Sequence, residues 1–207
     1  MALGDPAGRR RRLPTGIPQA LFDGRLALDA RLGVNRDMGE RAIPFLIEGP
    51  SFAAGLPEAA AIEAFRSEIF DADAVFLFDY WLSKCAGSGI PRKVLIDPAE
   101  LPNLLPVLYI EEWDDERRQS RIRLAGEFHR ELAGFNVQGL AVDDHATGAA
   151  NEIWKQCDRC NFFELRPTLC GYTLEHADKA HKRMADLTLP MRDESEKVLT
   201  IGMTWCF

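Results

Sequence analysis

The stretch Ile96-Asp-Pro-Ala-Glu-Leu-Pro-Asn-Leu-Leu-Pro106 stands between two kinds of sequence pattern, and its reading decides the fold. Asp97 suits a helix N-cap and Pro98 the first helical position, where φ is already set. Glu100 sits where a side chain reaches back to the cap, as in a capping box. The spacing predicts a short helix that gives Leu101, Leu104 and Leu105 to a core and stops near Pro106. The chain is redirected there into something other than more helix.

Upstream the pattern is helical. Pro57 and Glu58 suit a helix start, and Ile62, Phe65 and Ile69 fall at i, i+3 and i+7 on one face. Asp71 or Asp73 is placed to cap a second segment carrying Phe76, Tyr80 and Trp81, which Gly87-Ser-Gly89 and Pro91 then end. Downstream the pattern becomes strand-like. Residues 107–113 are apolar and β-prone, Asp114-Asp-Glu-Arg-Arg-Gln119 is a charged turn, and residues 121–125 alternate, which reads as a hairpin. Phe128, Leu132 and Phe135 return to helical spacing before a further helix over about 147–160.

Three more strands are expected over 168–176, 182–190 and 197–207. In the last, Leu199, Ile201, Met203, Trp205 and Phe207 share one face, and Thr200, Gly202, Thr204 and Cys206 the other. Helices, hairpin, helices and a three-strand meander make an α+β domain with a five-stranded antiparallel sheet. The domain is expected over residues 58–207, including its leading helix. Residues 1–57, rich in Gly, Pro and Arg, read as a poorly ordered extension with a weak amphipathic run around Leu21, Leu26, Leu28 and Leu32.

Leu77-Phe-Asp-Tyr-Trp81, the 96–106 stretch, Arg121-Ile-Arg-Leu-Ala-Gly126, Gly134-Phe-Asn-Val-Gln-Gly139 and Leu189-Pro-Met-Arg-Asp193 together resemble a bacterial PAS-like family of short stand-alone proteins, common in alphaproteobacteria, over roughly residues 75–207. The resemblance implies a PAS fold, a five-stranded sheet cupping helices, used to sense a small molecule or to pair with another protein. The sequence departs from the family's usual residues at Glu127 and Asn136, near the helix that would wall the pocket.

Composition narrows the function classes. The 207 residues carry a formal net charge of −7, which argues against nucleic acid as a partner, and the Arg9 to Arg12 cluster reads as a solvated tail. No stretch approaches the roughly 18 to 20 apolar residues of a membrane span, and no apolar segment of secretory type follows the arginines. A cytoplasmic protein is expected, and five cysteines without a disulfide spacing agree with reduced thiols.

Three constellations invite chemistry. Cys157-Asp-Arg-Cys160, with Cys170 and His176, has zinc-ligand residue types, yet Ile153, Cys157 and Cys160 at i, i+4 and i+7 read as one buried helix face, and no metal is expected. Of the histidines His129, His145, His176 and His181, His145 is the nearest candidate for a haem ligand, an assignment the resemblance does not carry, and His129 among charged neighbours reads as solvent-facing. Asp143-Asp144-His145 reads as a solvated loop, and no catalytic residue and no cofactor is assigned. A ligand pocket, if built, is expected from Phe128, Leu132, Ile153, Trp154, Cys157, Tyr172, Leu174 and Met203, with Trp205 nearby.

The expected function is therefore a non-catalytic sensory or signalling module that binds a small ligand, a protein partner, or both. Two alternatives stand beside it: a dimerisation module without ligand, and an enzyme or metal-binding protein using the Cys157 or Asp143 region. A homodimer through the helix from Phe65 to Trp81 is expected because that segment has more apolar surface than one amphipathic stripe hides, with fold-back of residues 1–57 as the competing cover. With no kinase, cyclase or DNA-binding segment in view, a signal would pass to a separate protein.

Overall fold

Pro190 lies in the middle of a sheet, where a proline ordinarily removes a needed hydrogen bond, and the way this is resolved organises the fold. The computed structural model describes residues 42–85, 87, 89–141, 144, 148–174 and 182–207. The strands are β1 (Phe45–Glu48), β2 (Leu108–Asp114), β3 (Gln119–Ala125), β4 (Thr168–Thr173), β5 (Arg183–Arg192) and β6 (Val198–Cys206). The helices are α1 (Ala59–Glu68), α2 (Ala72–Lys84), α3 (Glu127–Ala133) and α4 (Gly148–Asp158), the last continuing into a π-helical turn, Arg159–Phe163. One antiparallel sheet has the order β1-β4-β5-β6-β2-β3.

The expected hairpin and meander are β2-β3 and β4-β5-β6, but the sheet has six strands rather than five. The sixth, β1, comes from the segment expected to be loose. Phe45 pairs with Gly171, and a Cβ on that glycine would stand 2.1 Å from the Phe45 ring, so the ring lies over bare backbone on the edge strand. Gly49 and Phe52 then donate backbone hydrogen bonds to Pro167 and Leu165. The ordered fold thus begins upstream of Pro57, by at least the length of β1.

In antiparallel strands a residue's N–H and C=O point to the same side. Arg192 donates to Pro91, away from β6, so Pro190, two residues earlier, also points away from β6. On that side β4 pairs with β5 only as far as Thr168 opposite Thr188. Pro190 therefore costs no ladder bond, and its free carbonyl accepts the indole Nε1–H of Trp81 at 2.8 Å. This bond pins α2 to the sheet, with Leu77, Phe78 and Trp81 fully buried against Leu187, Leu189, Met191, Leu199 and Ile201.

The Asp71 side chain caps α2 through the N–H groups of Asp73 and Ala74. Arg66 of α1 forms a two-pronged ion pair with Asp79 of α2, both contacts 2.5 Å. The segment from Phe65 to Trp81 is thus two helices, broken at 69–71, rather than one. Its apolar surplus is largely absorbed within the chain. Phe52 packs edge-on to Trp81 at 4.9 Å between ring centroids, Phe70 packs against Trp205 and Phe207, and Phe76 stays 38% exposed.

At the 96–106 stretch the predicted helix is a 3-10 turn, Pro98–Glu100. Asp97 caps it through the Ala99 N–H, but Glu100 does not close a capping box. The Asp97 N–H that Glu100 would have reached is taken by the Tyr80 hydroxyl at 2.8 Å, and Glu100 pairs with Lys84 at 2.7 Å. Leu101 and Leu104 are buried as expected, whereas Leu105 faces outward.

The Trp81 bond can be tested by substitution. Trp81→Phe keeps most of the ring and removes the donor, leaving a buried carbonyl unpaired, and should cost about 1 to 3 kcal/mol in denaturant unfolding. Trp81→Ala should cost about 3 to 5 kcal/mol. No measurable loss for Trp81→Phe beside a full loss for Trp81→Ala would show that the hydrogen bond contributes nothing beyond the ring.

Candidate functional site

Alternation along the central strands gives the sheet two chemically different faces. Leu187, Leu189, Leu199, Ile201 and Met203 face α1 and α2. Their neighbours Asp186, Thr188 and Thr204, with Tyr109 and Glu111 of β2 and Cys170 and Tyr172 of β4, face the other way. There, α3, α4 and residues 135–137 close a cavity of about 130 Å³. The walls are apolar, with Leu132, Trp154 and Leu174 at the lining and Ala150, Ile153 and Met184 packed behind.

Tyr109 lies across Gly202, its cross-strand partner, because a Cβ there would stand 2.2 Å from the ring carbon that bears the hydroxyl. The hydroxyl shares a 2.7 Å hydrogen bond with Thr188. Trp154 donates Nε1–H to Asp186 Oδ2 at 3.2 Å and packs edge-on to Tyr172, 5.1 Å between centroids. Thr200 donates to Glu111 at 3.3 Å, and Ser120 donates its backbone N–H to Asp158 at 3.1 Å. His129 Nε2 stands 3.0 Å from the Val107 carbonyl; an acceptor there requires Nε2 to carry the proton.

Burial governs the ionisation of these groups. It pushes the Asp186 and Asp158 carboxyls up to about 6, and it holds Glu111 well above the carboxylate range, aided by the charges of Asp158 and Asp186. Thr204, Tyr172 and Trp154 pull Asp186 the other way without cancelling its burial. The phenols of Tyr109 and Tyr172 are raised well above their ordinary value, chiefly by burial. Burial also lowers the His129 imidazole, so the ring is neutral at neutral pH. Contact with Cys157, followed by burial, keeps the Cys170 thiol protonated.

Of the residues expected to form a pocket, Leu132, Trp154, Cys157, Tyr172 and Leu174 line the cavity. Phe128 and Ile153 pack behind its wall. Met203 lies on the opposite face, because it shares the parity of Leu199 and Ile201 on β6, and Trp205 lies there too. His129 is partly buried at the cavity rather than solvent-facing, since its helix turns that side toward Tyr109, 5.4 Å between ring centroids. Tyr109, Glu111, Asp158, Asp186, Thr188 and Thr204 were not anticipated. The signal was present: Asp186 is an acid inside a strand whose other residues from Met184 to Met191 are apolar save Thr188, and Thr204 alternates with residues already assigned to the core.

The two cysteines of Cys157-Asp-Arg-Cys160 part company. Cys157 meets Cys170 on the sheet, while Cys160 lies with Glu48 and Glu164, whose candidate ligand atoms are within 4.8 Å of one another. The Arg159 guanidinium already bonds both of those carboxylates, at 2.6 Å to Glu164 and 3.3 Å to Glu48, and supplies the positive charge a metal would bring. Asp143, His145, Thr147, His176 and His181, like Arg9 to Arg12 and the run from Leu21 to Leu32, lie outside the described residues.

A pH dependence follows from the buried carboxyls. Asp186 has a folded-state pKa of about 6 against an ordinary 3.8, so between those values the folded chain holds more protons than the unfolded one. Its contribution is therefore favourable at low pH and is lost as pH rises through that window. Asp186→Asn removes the term, and its stability relative to the native chain should improve by about 2 to 3 kcal/mol between pH of about 4 and pH of about 7. Urea titrations at the two pH values measure this, and an unchanged difference would show Asp186 to be solvated.

Comparison with known proteins agrees with this architecture. No curated protein matches the chain. No helix among the described residues is long and apolar enough to cross a membrane. A family model described as a PAS domain matches residues 71–204, which takes in α2, the strands β2 to β5, β6 as far as Thr204, and every cavity-lining residue. With well over half of its length so matched, the chain belongs to the PAS domain family.

Proposed function

We propose that this chain is a non-catalytic sensory module that admits a small molecule to the cavity between its sheet and α3 and α4, and that it hands the resulting state to a separate signalling protein in the cytoplasm. The observation that carries the reading is the polar floor of that cavity. Hydroxyls, carboxyls and an indole N–H converge on a space with otherwise apolar walls, the combination by which small-molecule sites fix orientation and gain affinity. Membership in a family of sensory and signalling domains supports the same reading.

The acids and His129 offer no nucleophile and base arranged for turnover. His129 Nε2 is occupied by the Val107 carbonyl, and the Cys170 thiol is held protonated, which suits recognition better than reaction. Pairing of two copies would use the outer side of α1 and α2, where Phe76 is exposed. Sedimentation of the full chain across micromolar concentrations reads that pairing.

The ligand reading is tested by filling the space. Leu132 lines the cavity from α3, and Leu132→Trp should occupy it while keeping the helix. In a thermal-shift screen of small molecules against the full chain, compounds that raise the native midpoint should lose most of their effect in Leu132→Trp. Compounds that act equally on both chains bind elsewhere, and a screen yielding only these would defeat the proposal.

A further inference from the structure

The charge of the cavity lining is one-sided. Glu111 from β2, Asp158 from the end of α4 and Asp186 from β5 all face the space, and no lysine or arginine lines it among the described residues. Buried carboxyls ordinarily face a cationic partner or several donors. Here Asp158 receives the Ser120 N–H and Glu111 the Thr200 hydroxyl, while Asp186, whose ionised form the nearby Tyr172 and Thr204 hydroxyls also favour, still keeps one oxygen without a hydrogen bond. Its Oδ2 accepts from Trp154, whereas its Oδ1 is buried without a hydrogen-bond partner, in a residue only 5% exposed. An orphaned buried acceptor at the wall of a cavity identifies what the space lacks: a hydrogen-bond donor, at a position where nearby acids favour positive charge.

Geometry separates the candidate cations. A metal ion needs several ligand atoms converging on one point, and among the described residues the group that meets this test is Glu48, Cys160 and Glu164, outside the cavity. A quaternary ammonium has no N–H for Asp186 Oδ1. A primary ammonium has three donors, and the edge-to-face pair of Trp154 and Tyr172 gives its organic body an aromatic wall. The volume of about 130 Å³ is close to that of engineered apolar cavities that hold a single benzene ring. It suits a body of one ring or a short branched chain.

Resting on the ligand reading above, we propose that the cavity binds a small organic monoamine as its protonated cation, with the ammonium group at Asp186 Oδ1 and the apolar body between Leu132, Trp154 and Tyr172. The ionisable groups that face the ammonium are Asp186, Glu111, Asp158, Tyr109, Tyr172, His129, Cys157 and Cys170. Held protonated, the phenols and Glu111 leave the two aspartates as the negative charges at neutral pH.

Three probes of nearly equal shape decide the matter by calorimetry on the full chain near neutral pH: benzylamine, benzyl alcohol and benzoate. Benzylamine should bind about tenfold or more tighter than either of the others, as expected for a charge-assisted bond to a desolvated carboxylate. Asp186→Asn should remove that advantage while leaving the affinity for benzyl alcohol within about threefold, which also certifies the variant's fold. Glu111→Gln, a second variant, should weaken benzylamine less than Asp186→Asn does. If benzyl alcohol or benzoate binds as tightly as benzylamine, the cation proposal falls and the small-molecule reading survives. If none of the three binds, both fall for ligands of this size. A benzylamine preference that persists in Asp186→Asn also overturns the assignment.

Discussion

A proline in a central strand is tolerated where the neighbouring strand has ended, and much of this structure follows from where that happens. Because β4 pairs no further than Thr168, the backbone of Pro190 faces a vacant side of β5, and its carbonyl is free for the indole of Trp81. One hydrogen bond between residues 109 positions apart thereby sets the height of α2 on the sheet. The remaining helical layer is indexed from α2. Arg66 and Asp79 clamp α1 to it, and Tyr80 takes the Asp97 N–H, so the turn that redirects the chain into β2 is held by the same helix.

Fixing one face of the sheet fixes the other, because a strand cannot shift by one residue without exchanging its two faces. With Leu187, Leu189, Leu199 and Ile201 committed to α1 and α2, Asp186, Thr188 and Thr204 have to face α3 and α4. The cavity is the result of packing against such a polar floor. Gly202 shapes it further: bare backbone lets the Tyr109 ring lie down and reach Thr188, where any side chain would push the ring upward into the space.

What the sequence made legible was whatever has a period. The hairpin, the meander and the two faces of β6 rest on alternation, and the cap at Asp71 rests on local backbone chemistry, so all of these could be read. The sixth strand could not. Phe45 to Glu48 is four residues long, and it is a strand because Gly171, more than a hundred positions away, leaves room for the Phe45 ring. The capping box failed for the same kind of reason, since Tyr80 competes for the N–H that local rules give to Glu100. In the cavity, several of the aromatic and aliphatic wall residues were anticipated, whereas Glu111 and Asp186 are defined by the strand face they share. Met203 shows the cost of naming pocket residues without enforcing parity along β6.

Asp186 is the point at which the sequence works against the fold. It lies in a strand buried at every position from Met184 to Met191, where both faces favour apolar residues, and one of its oxygens has no hydrogen-bond partner within the chain. The packed face opposite supplies stability to offset this, since each buried Leu or Phe side chain contributes about 1.5 to 3 kcal/mol. An acid retained there is useful if something completes it. A molecule that binds only the folded chain stabilises it by an amount set by its concentration relative to Kd. When that molecule satisfies Oδ1, part of its affinity is relief of the desolvation cost of that oxygen. The stability gained on replacing Asp186 and the preference for a donor are then two measures of one unsatisfied oxygen.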